Sequence, residues 1–294
     1  MIDYSLRELE CFVAVAEELS FTRAARRMHL SQPPLSRHIQ SLEARLGVQL
    51  FLRSPRSVAL TPAGRAFVAD TKGALNQLQR AADRAKRAAR GEVTRLDLGF
   101  VSAVLKPELI SILQRFRTAY PAVNLTLHDC PPADQLRAIA EGRLDGGFVG
   151  SSPATPSASL VFIPWSREPL MAFLPRGHRS QHATKVRLAD LAGEPFVMVA
   201  AESAPCFSLQ IHELCSRAGF RPKVVQEAVR GQAVAVMVAA GAGVAILPAS
   251  MARIAGDAVV AIPLADKGTA VTYVFAHRSG DKAASLRDFV ARLK

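Results

Sequence analysis

The stretch Ser31-Gln32-Pro33-Pro34-Leu35-Ser36-Arg37-His38-Ile39-Gln40-Ser41-Leu42-Glu43 decides the fold of the N-terminal part of this chain. At about 100° per residue, its leucines and isoleucine fall within roughly 60° of one another, which predicts a helix with one buried face. The two prolines fit only a first turn, and Ser31 is the predicted N-cap. The other face carries small, amide and guanidinium groups that suit base edges and phosphates. A solvated helix face is the alternative interpretation.

Two shorter helical patterns precede this stretch. Apolar spacing predicts a helix over Ser5–Leu19, and Ser20 is expected to cap a second helix over Phe21–Met28. Gly47 is expected to end the third helix. Three helices whose last member exposes a polar face form the helix-turn-helix plan, in which that helix enters the major groove of DNA.

A short hairpin, or wing, is predicted after the third helix. Val48–Arg53 and Ser57–Leu60 are the two strands, and Arg53 and Arg56 lie near the tip. Arginines at such a tip suit phosphates or a narrow minor groove. Two solvated loop arginines are the alternative interpretation.

A long helix is predicted from the Thr61-Pro62 cap to Arg90. Small and apolar side chains seven residues apart form an a/d seam along it, which one helix cannot bury alone. We therefore expect a homodimer that places two reading helices on one duplex. The seam residues assigned to dimerisation are Phe67, Thr71, Ala74, Leu78, Ala81 and Ala85.

From Thr94 onward, strands alternate with helices, which predicts open parallel sheets with ligand-binding crevices at the strand carboxyl ends. The predicted strands are 95–100, 123–127, 144–149, 160–164, 170–174, 196–200, 223–227, 244–247, 259–263 and 270–276. The predicted helices and helical turns are 107–119, 132–141, 188–191, 207–218, 232–240, 248–254 and 283–293.

Composition favours a compact protein that has a polyanionic partner or is merely basic. Of the 294 residues, 49% are hydrophobic, and the net charge is +12. Residues 1–90 carry +7 of that charge, which concentrates it beside the predicted reading helix.

A reducing cytosol is the expected compartment. The first ten residues contain charges and no apolar core, which argues against a signal peptide. The uncharged run Gly231–Ala252 contains Gly241 and Pro248, so we interpret it as a helix, a turn and a strand rather than a membrane span. Four cysteines without Cys-x-x-Cys spacing argue against a disulfide scaffold, and we expect a cytoplasmic protein.

Enzymatic and metal-binding interpretations find little support. The chain has no Gly-x-Ser-x-Gly, His-Glu-x-x-His or P-loop motif. His178 and His182 have helical spacing but lie in a predicted loop, where exposed histidines are expected. We predict no enzyme, no cofactor and no metal.

Six motifs along the chain carry a family resemblance. They are Phe21-Thr-Arg-Ala-Ala, Ser31-Gln-Pro-Pro-Leu-Ser-Arg, Leu42-Glu-Ala-Arg-Leu-Gly-Val-Gln-Leu-Phe-Leu-Arg, Leu60-Thr-Pro-Ala-Gly, Gly142-Arg-Leu-Asp-Gly-Gly and Gly241-Ala-Gly-Val-Ala-Ile-Leu-Pro. Together they resemble the motifs of LysR-type transcriptional regulators, and the match covers essentially the whole chain. The Gln-Pro-Pro start of the reading helix looks most like the branch that controls aromatic-compound catabolism.

That resemblance implies an α plus α/β fold in three parts and assembly as a homodimer or homotetramer. The implied partners are double-stranded promoter DNA, a small-molecule effector in the cleft between two lobes, and RNA polymerase; activation and repression both stay open. The parts are a winged helix-turn-helix over 1–60, a dimerising linker helix over 61–91, and a periplasmic-binding-protein-like domain over 92–294 with lobe I at 94–164 and 265–294 and lobe II at 165–264.

The resemblance also implies two sets of site residues. Residues that match the family's base- and backbone-contacting helix and its wing, together with their neighbours, are Thr22, Ser31, Gln32, Pro33, Pro34, Ser36, Arg37, Gln40, Arg53 and Arg56. Residues that match the effector pocket are Ser102, Ala103, Val104, Pro132, Pro205, Phe207 and Gly231.

The implied pocket is less polar and roomier than those of the relatives. Only Ser102 offers a hydroxyl in the first turn, and simple turn capping is its alternative role. Pro132 stands where a threonine is common, and Gly231 stands where a larger apolar residue is usual. The resemblance favours a small organic or aromatic acid as effector.

A thiol-based redox sensor is the alternative function. Cys206 and Cys215 have the spacing of the reactive pair in peroxide-sensing relatives. On one helix they would lie about 13 Å apart, too far for a disulfide without local unfolding. Pro205 also replaces the histidine of those sensors, so two small buried hydrophobes are the simpler interpretation.

Overall fold

In the computed structural model, the described residues are 4–54, 57–89, 94–153, 158–281 and 283–293. The chain divides into two compact units near residue 92, and each is described by itself. Within the described ranges, none of the helices has both the length and the apolar character that a membrane span requires.

The first unit has the predicted winged helix-turn-helix order followed by one long helix. Its core is formed by Phe12 and by Leu35, Ile39 and Leu42, all fully buried. The elements are α1 (Leu6–Glu18), α2 (Phe21–Arg27), α3 (Gln32–Leu46), β1 (Phe51–Ser54), β2 (Ser57–Leu60) and α4 (Pro62–Ala89).

Local hydrogen bonds fix where α1 begins and how α3 packs on it. Ser5 and Glu8 form a capping box: the Ser5 N–H donates to Glu8 at 2.6 Å, and the Glu8 N–H donates to Ser5 Oγ at 3.2 Å. Glu8 is almost fully buried, and a hydrogen bond from Ser41 of α3 holds its pKa below the usual value. The carboxylate therefore ties α1 to α3.

The Leu60-Thr-Pro-Ala-Gly motif joins the wing to α4. As predicted, Thr61 is the cap: its Oγ1 accepts from the Gly64 N–H at 2.9 Å and also donates to the Gln49 carbonyl oxygen at 2.8 Å. A Cβ at position 64 would lie 2.1 Å from the Leu50 carbonyl oxygen. Glycine is required there because the helix and the wing backbone approach so closely.

The second unit contains two α/β lobes. Lobe I comprises β3 (Thr94–Phe100), a 3-10 turn (Ser102–Val104), α5 (Pro107–Ala119), β4 (Val123–Asp129), α6 (Pro132–Ala140), β5 (Gly146–Val149) and α10 (Ala284–Val290). Lobe II comprises a 3-10 turn (Leu188–Leu191), β7 (Pro195–Val199), α7 (Pro205–Arg217), β8 (Lys223–Ala228), α8 (Gly231–Ala239), β9 (Ala245–Pro248), 3-10 turns Ala249–Met251 and Gly256–Ala258, α9 (Ala252–Ala255) and β10 (Val259–Pro263).

Two long strands, β6 (Leu160–Pro175) and β11 (Ala270–Arg278), run through both lobes. The prediction of two strands at 160–164 and 170–174 was wrong, because residues 160–175 form one continuous strand. Pro164 and Pro169 lie inside this strand, where a residue without an N–H usually interrupts the pairing. However, residues 160–169 pair on one side only, with β11, so a proline lacking its N–H is tolerated at that edge.

The main sheet is mixed, which corrects the expectation of wholly parallel sheets. Its order is β10-β6-β11-β5-β3-β4, with β9 also paired to β6. Strand β3 is parallel to β4 and β5, whereas the pairs that involve β6, β10 and β11 are antiparallel. Lobe II adds the parallel pair β7-β8. The returning strand β11 is antiparallel because it must run back from lobe II to lobe I.

Candidate functional site

Helix α3 separates its two faces as the sequence predicts. Ser31, Gln32, Pro33, Arg37 and Gln40 are exposed, whereas Pro34 and Ser36 are half-buried. Among the described residues, no ion pair holds the Arg37 guanidinium. The exposed face thus presents a free guanidinium and two amides, which are the groups that pair with guanine and adenine edges.

Ser31 is the N-cap of α3, but its hydroxyl makes no capping hydrogen bond. A capping side chain accepts from the N–H groups of the second and third helical residues. Those residues are Pro33 and Pro34, which have no N–H. The Ser31 hydroxyl is therefore not needed by its own helix. With two amides missing, this helix end has fewer backbone donors for an anion, and side chains contribute more of any such contact.

The wing arginine Arg53 is held against the helices instead of extending from the hairpin tip. Its Nη2 lies 2.7 Å from Glu43 Oε2 of α3, and its guanidinium lies 4.9 Å from the centre of the Phe21 ring. Glu43 Oε1 also accepts from the N–H groups of Leu50 and Phe51, at 2.8 and 3.2 Å. These contacts fix the wing on α3. Arg56 lies outside the described residues.

A contact between α2 and α3 involves another predicted DNA-binding residue. Thr22 is exposed, and its hydroxyl donates to the Gln32 side-chain oxygen at 3.4 Å. At this length the hydrogen bond is weak, but it brings the Thr22 hydroxyl beside the Gln32 amide at the start of the reading helix.

The predicted dimerisation seam divides into two parts. Phe67 packs on Phe12 at 5.2 Å between ring centres, and Thr71 is buried, with its hydroxyl donating to the Phe67 carbonyl oxygen at 2.6 Å. Both residues therefore belong to the core of their own unit, which the helical spacing alone did not show. In contrast, Ala74, Leu78, Ala81 and Ala85 are exposed in the single chain.

In the second unit, a cavity of about 640 Å³, a volume that includes its mouth, lies between the lobes. The lining residues from lobe I and β11 are Val101, Ser102, Ala103, Cys130, Pro131, Pro132, Gly150, Val271 and Tyr273. Those from lobe II are Val199, Ala204, Phe207, Val229, Arg230, Gly231, Gln232, Leu247, Pro248 and Met251.

Three helices begin at this cavity. Pro132 starts α6, Ala204 is the N-cap of α7, and Arg230 is the N-cap of α8, which begins at Gly231. Helix N-termini carry partial positive charge and unpaired N–H groups. The walls are otherwise mostly apolar, so the cavity combines a hydrophobic interior with an electrostatic preference for anions.

A buried polar cluster lies behind the cavity wall, on the strands that connect the lobes. Lys106 Nζ lies 2.6 Å from Glu168 Oε2 and 4.9 Å from the centre of the Tyr273 ring. The Ser250 N–H donates to the other Glu168 oxygen. Burial, together with the Glu168 carboxylate, raises the pKa of Tyr273, so its phenol stays neutral. The cluster connects lobe I, both crossing strands and lobe II.

Comparison with known proteins assigns both units. Residues 6–65 match the bacterial regulatory helix-turn-helix proteins of the lysR family, and residues 89–294 match the LysR substrate binding domain. The chain belongs to the LysR family of transcriptional regulators. It is therefore a DNA-binding regulator with an effector-binding domain, from a family of regulators and not of enzymes. The predicted fold class is confirmed.

Relatives of this LysR-family chain match it along most of its length. The uncharacterized HTH-type regulator YnfL of Escherichia coli (strain K12) is 38% identical over 267 residues, 90% of this chain and 89% of YnfL. AlsR of Bacillus subtilis (strain 168) is 36% identical, over 85% of this chain and 82% of AlsR. The crystal structure of CbnR, a LysR family regulator, superposes with a TM-score of 0.67 at 28% identity and covers 98% of each chain.

Five of the seven predicted effector residues line the cavity: Ser102, Ala103, Pro132, Phe207 and Gly231. Two do not. Val104 is fully buried in the core, because the 3-10 turn directs its side chain away from the cavity. Pro205 is exposed at the first position of α7, on the outside of the helix.

Sequence reasoning missed several cavity residues of this regulator. Among them are Tyr273, on the returning strand β11, and Arg230, which precedes α8. These two residues are far apart in the sequence, and both are far from Ser102. The one available signal was the position of Arg230 directly before Gly231, which had been assigned to the pocket.

The thiols do not have the setting of a redox pair. Burial raises the pKa of Cys206, and it raises that of the fully buried Cys215 to about 11. Both thiols are therefore protonated at neutral pH, whereas a reactive cysteine needs a lowered pKa.

The loop histidines differ from each other. His182 is exposed, as expected, but the side chain of His178 is only 8% exposed. Its Nδ1 accepts from the Ser180 N–H at 3.1 Å, and its Nε2 faces Glu194 at 3.4 Å. Within the described ranges, no group of His, Cys, Asp or Glu side chains is arranged to hold a metal ion.

Proposed function

We propose that this regulator senses a small organic or aromatic acid in the cavity between its two lobes. The observation that carries the proposal is the lining: both lobes contribute apolar walls, and three helices begin there. A ligand that contacts both lobes favours one relative arrangement of them in proportion to its differential affinity. The resulting shift between the lobes alters the spacing of the DNA-reading helices and the contact with RNA polymerase.

The shape of the cavity supports a ligand with a planar or bulky apolar body. Phe207 and Tyr273 supply aromatic rings to the lining, and Gly231 leaves space in it. A Cβ at position 231 would meet Met251 Sδ and a Leu247 methyl only at 3.4 and 3.7 Å. The missing side chain therefore enlarges the cavity itself.

A thermal-shift screen of the full-length protein tests this function. Benzoate, phenylacetate, hexanoate and succinate are each compared with the primary amide of the same acid. We expect at least one acid to raise the melting temperature, since a ligand at 100 times its Kd stabilises by about 2.7 kcal/mol. Gly231→Leu fills the cavity and is expected to remove the shift. If no acid stabilises the protein, or if the shift survives in Gly231→Leu, the proposal is wrong.

We also propose that the protein is a homodimer through α4, and that dimers pair into a homotetramer on promoter DNA. Ala74, Leu78, Ala81 and Ala85 are the exposed part of the seam. Leu78 is 55% exposed in the single chain, and a partner helix that covers this stripe would remove its apolar surface from water. CbnR, which shares the fold, has been solved at full length with its target DNA.

Leu78→Glu is expected to dissociate the α4 dimer. Burying one leucine contributes about 1.5–3 kcal/mol, and a symmetric dimer loses two copies. The dimer dissociation constant should therefore rise at least about 100-fold. Sedimentation equilibrium measures it. Gln77→Glu puts the same charge on the same helix outside the seam and should leave assembly unchanged. Equal assembly of both variants would contradict the role of this seam.

A further inference from the structure

An ion pair at the rim of the cavity joins the two lobes. Arg230 precedes α8 in lobe II, and Asp129 ends β4 in lobe I. The guanidinium donates through Nη1 to the Asp129 carboxylate and through Nη2 to the Asp129 carbonyl oxygen at 3.3 Å. The two side chains are 38% and 46% exposed. One cation is thus positioned at the entrance by a residue from the opposite lobe.

Arg230 is also the charged member of the lining; every other described lining residue is uncharged. The polar side chains there are few: Ser102, Gln232, the Cys130 thiol and the Tyr273 phenol. An acid that buries its carbon skeleton in this cavity needs a partner for its carboxylate, because an unpaired buried charge is costly. A guanidinium offers planar, bidentate donors that match a carboxylate.

We propose that Arg230 recognises the carboxylate of the effector and releases Asp129 in exchange. The inference rests on the proposed acid effector and names the residue that distinguishes acids from neutral molecules. The exchange is favourable because an ion pair as exposed as Arg230–Asp129 contributes little stability. A carboxylate held beside apolar walls is screened less by water and salt.

The exchange links ligand chemistry to the arrangement of the lobes. Asp129 and Arg230 belong to different lobes, so an acid that binds Arg230 removes one contact between the lobes as it forms its own. A neutral isostere leaves the ion pair in place. Acids and amides of the same shape therefore differ in the conformational change they cause as well as in affinity.

Calorimetric titration of the full-length protein tests the exchange, with benzoate and benzamide and the other acid–amide pairs of the screen as probes. Arg230→Gln is expected to weaken acid binding about 10-fold or more and to leave amide binding unchanged. Asp129→Asn frees the guanidinium and should strengthen acid binding roughly 3-fold to 10-fold. In the Arg230→Gln background, Asp129→Asn should have no effect, because its partner is absent.

The matched control is Arg187→Gln, which removes the same charge from an exposed ion pair with Asp190 elsewhere in lobe II. It should not alter binding of either probe. If Arg230→Gln binds the acids as tightly as the wild type does, Arg230 is not the recognition residue, although the acid effector stands. If Asp129→Asn weakens acid binding, the exchange is refuted. If no acid binds the wild type or Asp129→Asn, the acid effector and this inference fail together.

Discussion

Arg37→Ala is expected to abolish operator binding while the dimer stays intact. Arg37 is exposed on the polar face of α3, opposite the buried leucines, and no ion pair among the described residues holds its guanidinium. One bidentate arginine–base contact contributes about 1–3 kcal/mol of discrimination. A dimer loses two such contacts, so its affinity for operator DNA should fall roughly 30-fold to 10⁴-fold. The face opposite Arg37 supports the core, so folding is not affected.

The probe for this prediction is the duplex that the wild-type protein selects from a random-sequence pool, used in a gel shift at fixed salt. Arg7→Ala is the control, because it removes the same charge from α1, where Arg7 pairs with Glu10 at 3.2 Å. That variant should bind almost as the wild type does. Unchanged affinity of Arg37→Ala would show that α3 does not read the duplex through this residue.

Glu43→Ala is expected to destabilise the first unit strongly. Its carboxylate accepts from the Leu50 and Phe51 N–H groups and pairs with Arg53, and its side chain is only 14% exposed. Each part-buried N–H left without an acceptor costs about 1–3 kcal/mol. We expect a total loss of about 2–5 kcal/mol and weaker DNA binding, since the wing loses its attachment to α3.

Hydrogen exchange measured in the full-length protein tests this prediction, because the Leu50 and Phe51 amides should exchange faster when they lose their acceptor. Glu43→Gln keeps an acceptor oxygen and should recover part of the protection, but not the Arg53 ion pair. Glu10→Ala breaks an exposed ion pair and should change stability by less than about 0.5 kcal/mol. Normal protection of both amides in Glu43→Ala would contradict the anchoring role of Glu43.

Most of the local structure was predictable because its causes are local. The helix at 107–119 and the strand at 259–263 were predicted with their observed ends, and Gly47 and Ser20 end and begin helices as expected. Those elements depend on caps, prolines and spacing within a few residues. The single strand over residues 160–175 was missed, because only the pairing with β11 makes its two interior prolines, Pro164 and Pro169, acceptable.

The site residues divide in the same way. The two faces of α3 follow from helical spacing, so the exposed set around Arg37 was accessible from the sequence. Arg53 was predicted near a hairpin tip, where it would suit phosphates, but its partners Glu43 and Phe21 come from two helices. Phe67 and Thr71 kept the seam spacing and were nevertheless used by the core of their own unit.

The sequence by itself determined the reading helix, the family and the existence of a two-lobed effector domain, because motifs and spacing of neighbouring residues carry that information. Only the tertiary structure decided which side chains meet. Val104 turns into the core while Tyr273 enters the cavity wall, and Asp129 meets Arg230 across 101 residues of chain. Those encounters depend on β6 and β11 crossing between the lobes, and no local pattern records where two distant segments are brought together.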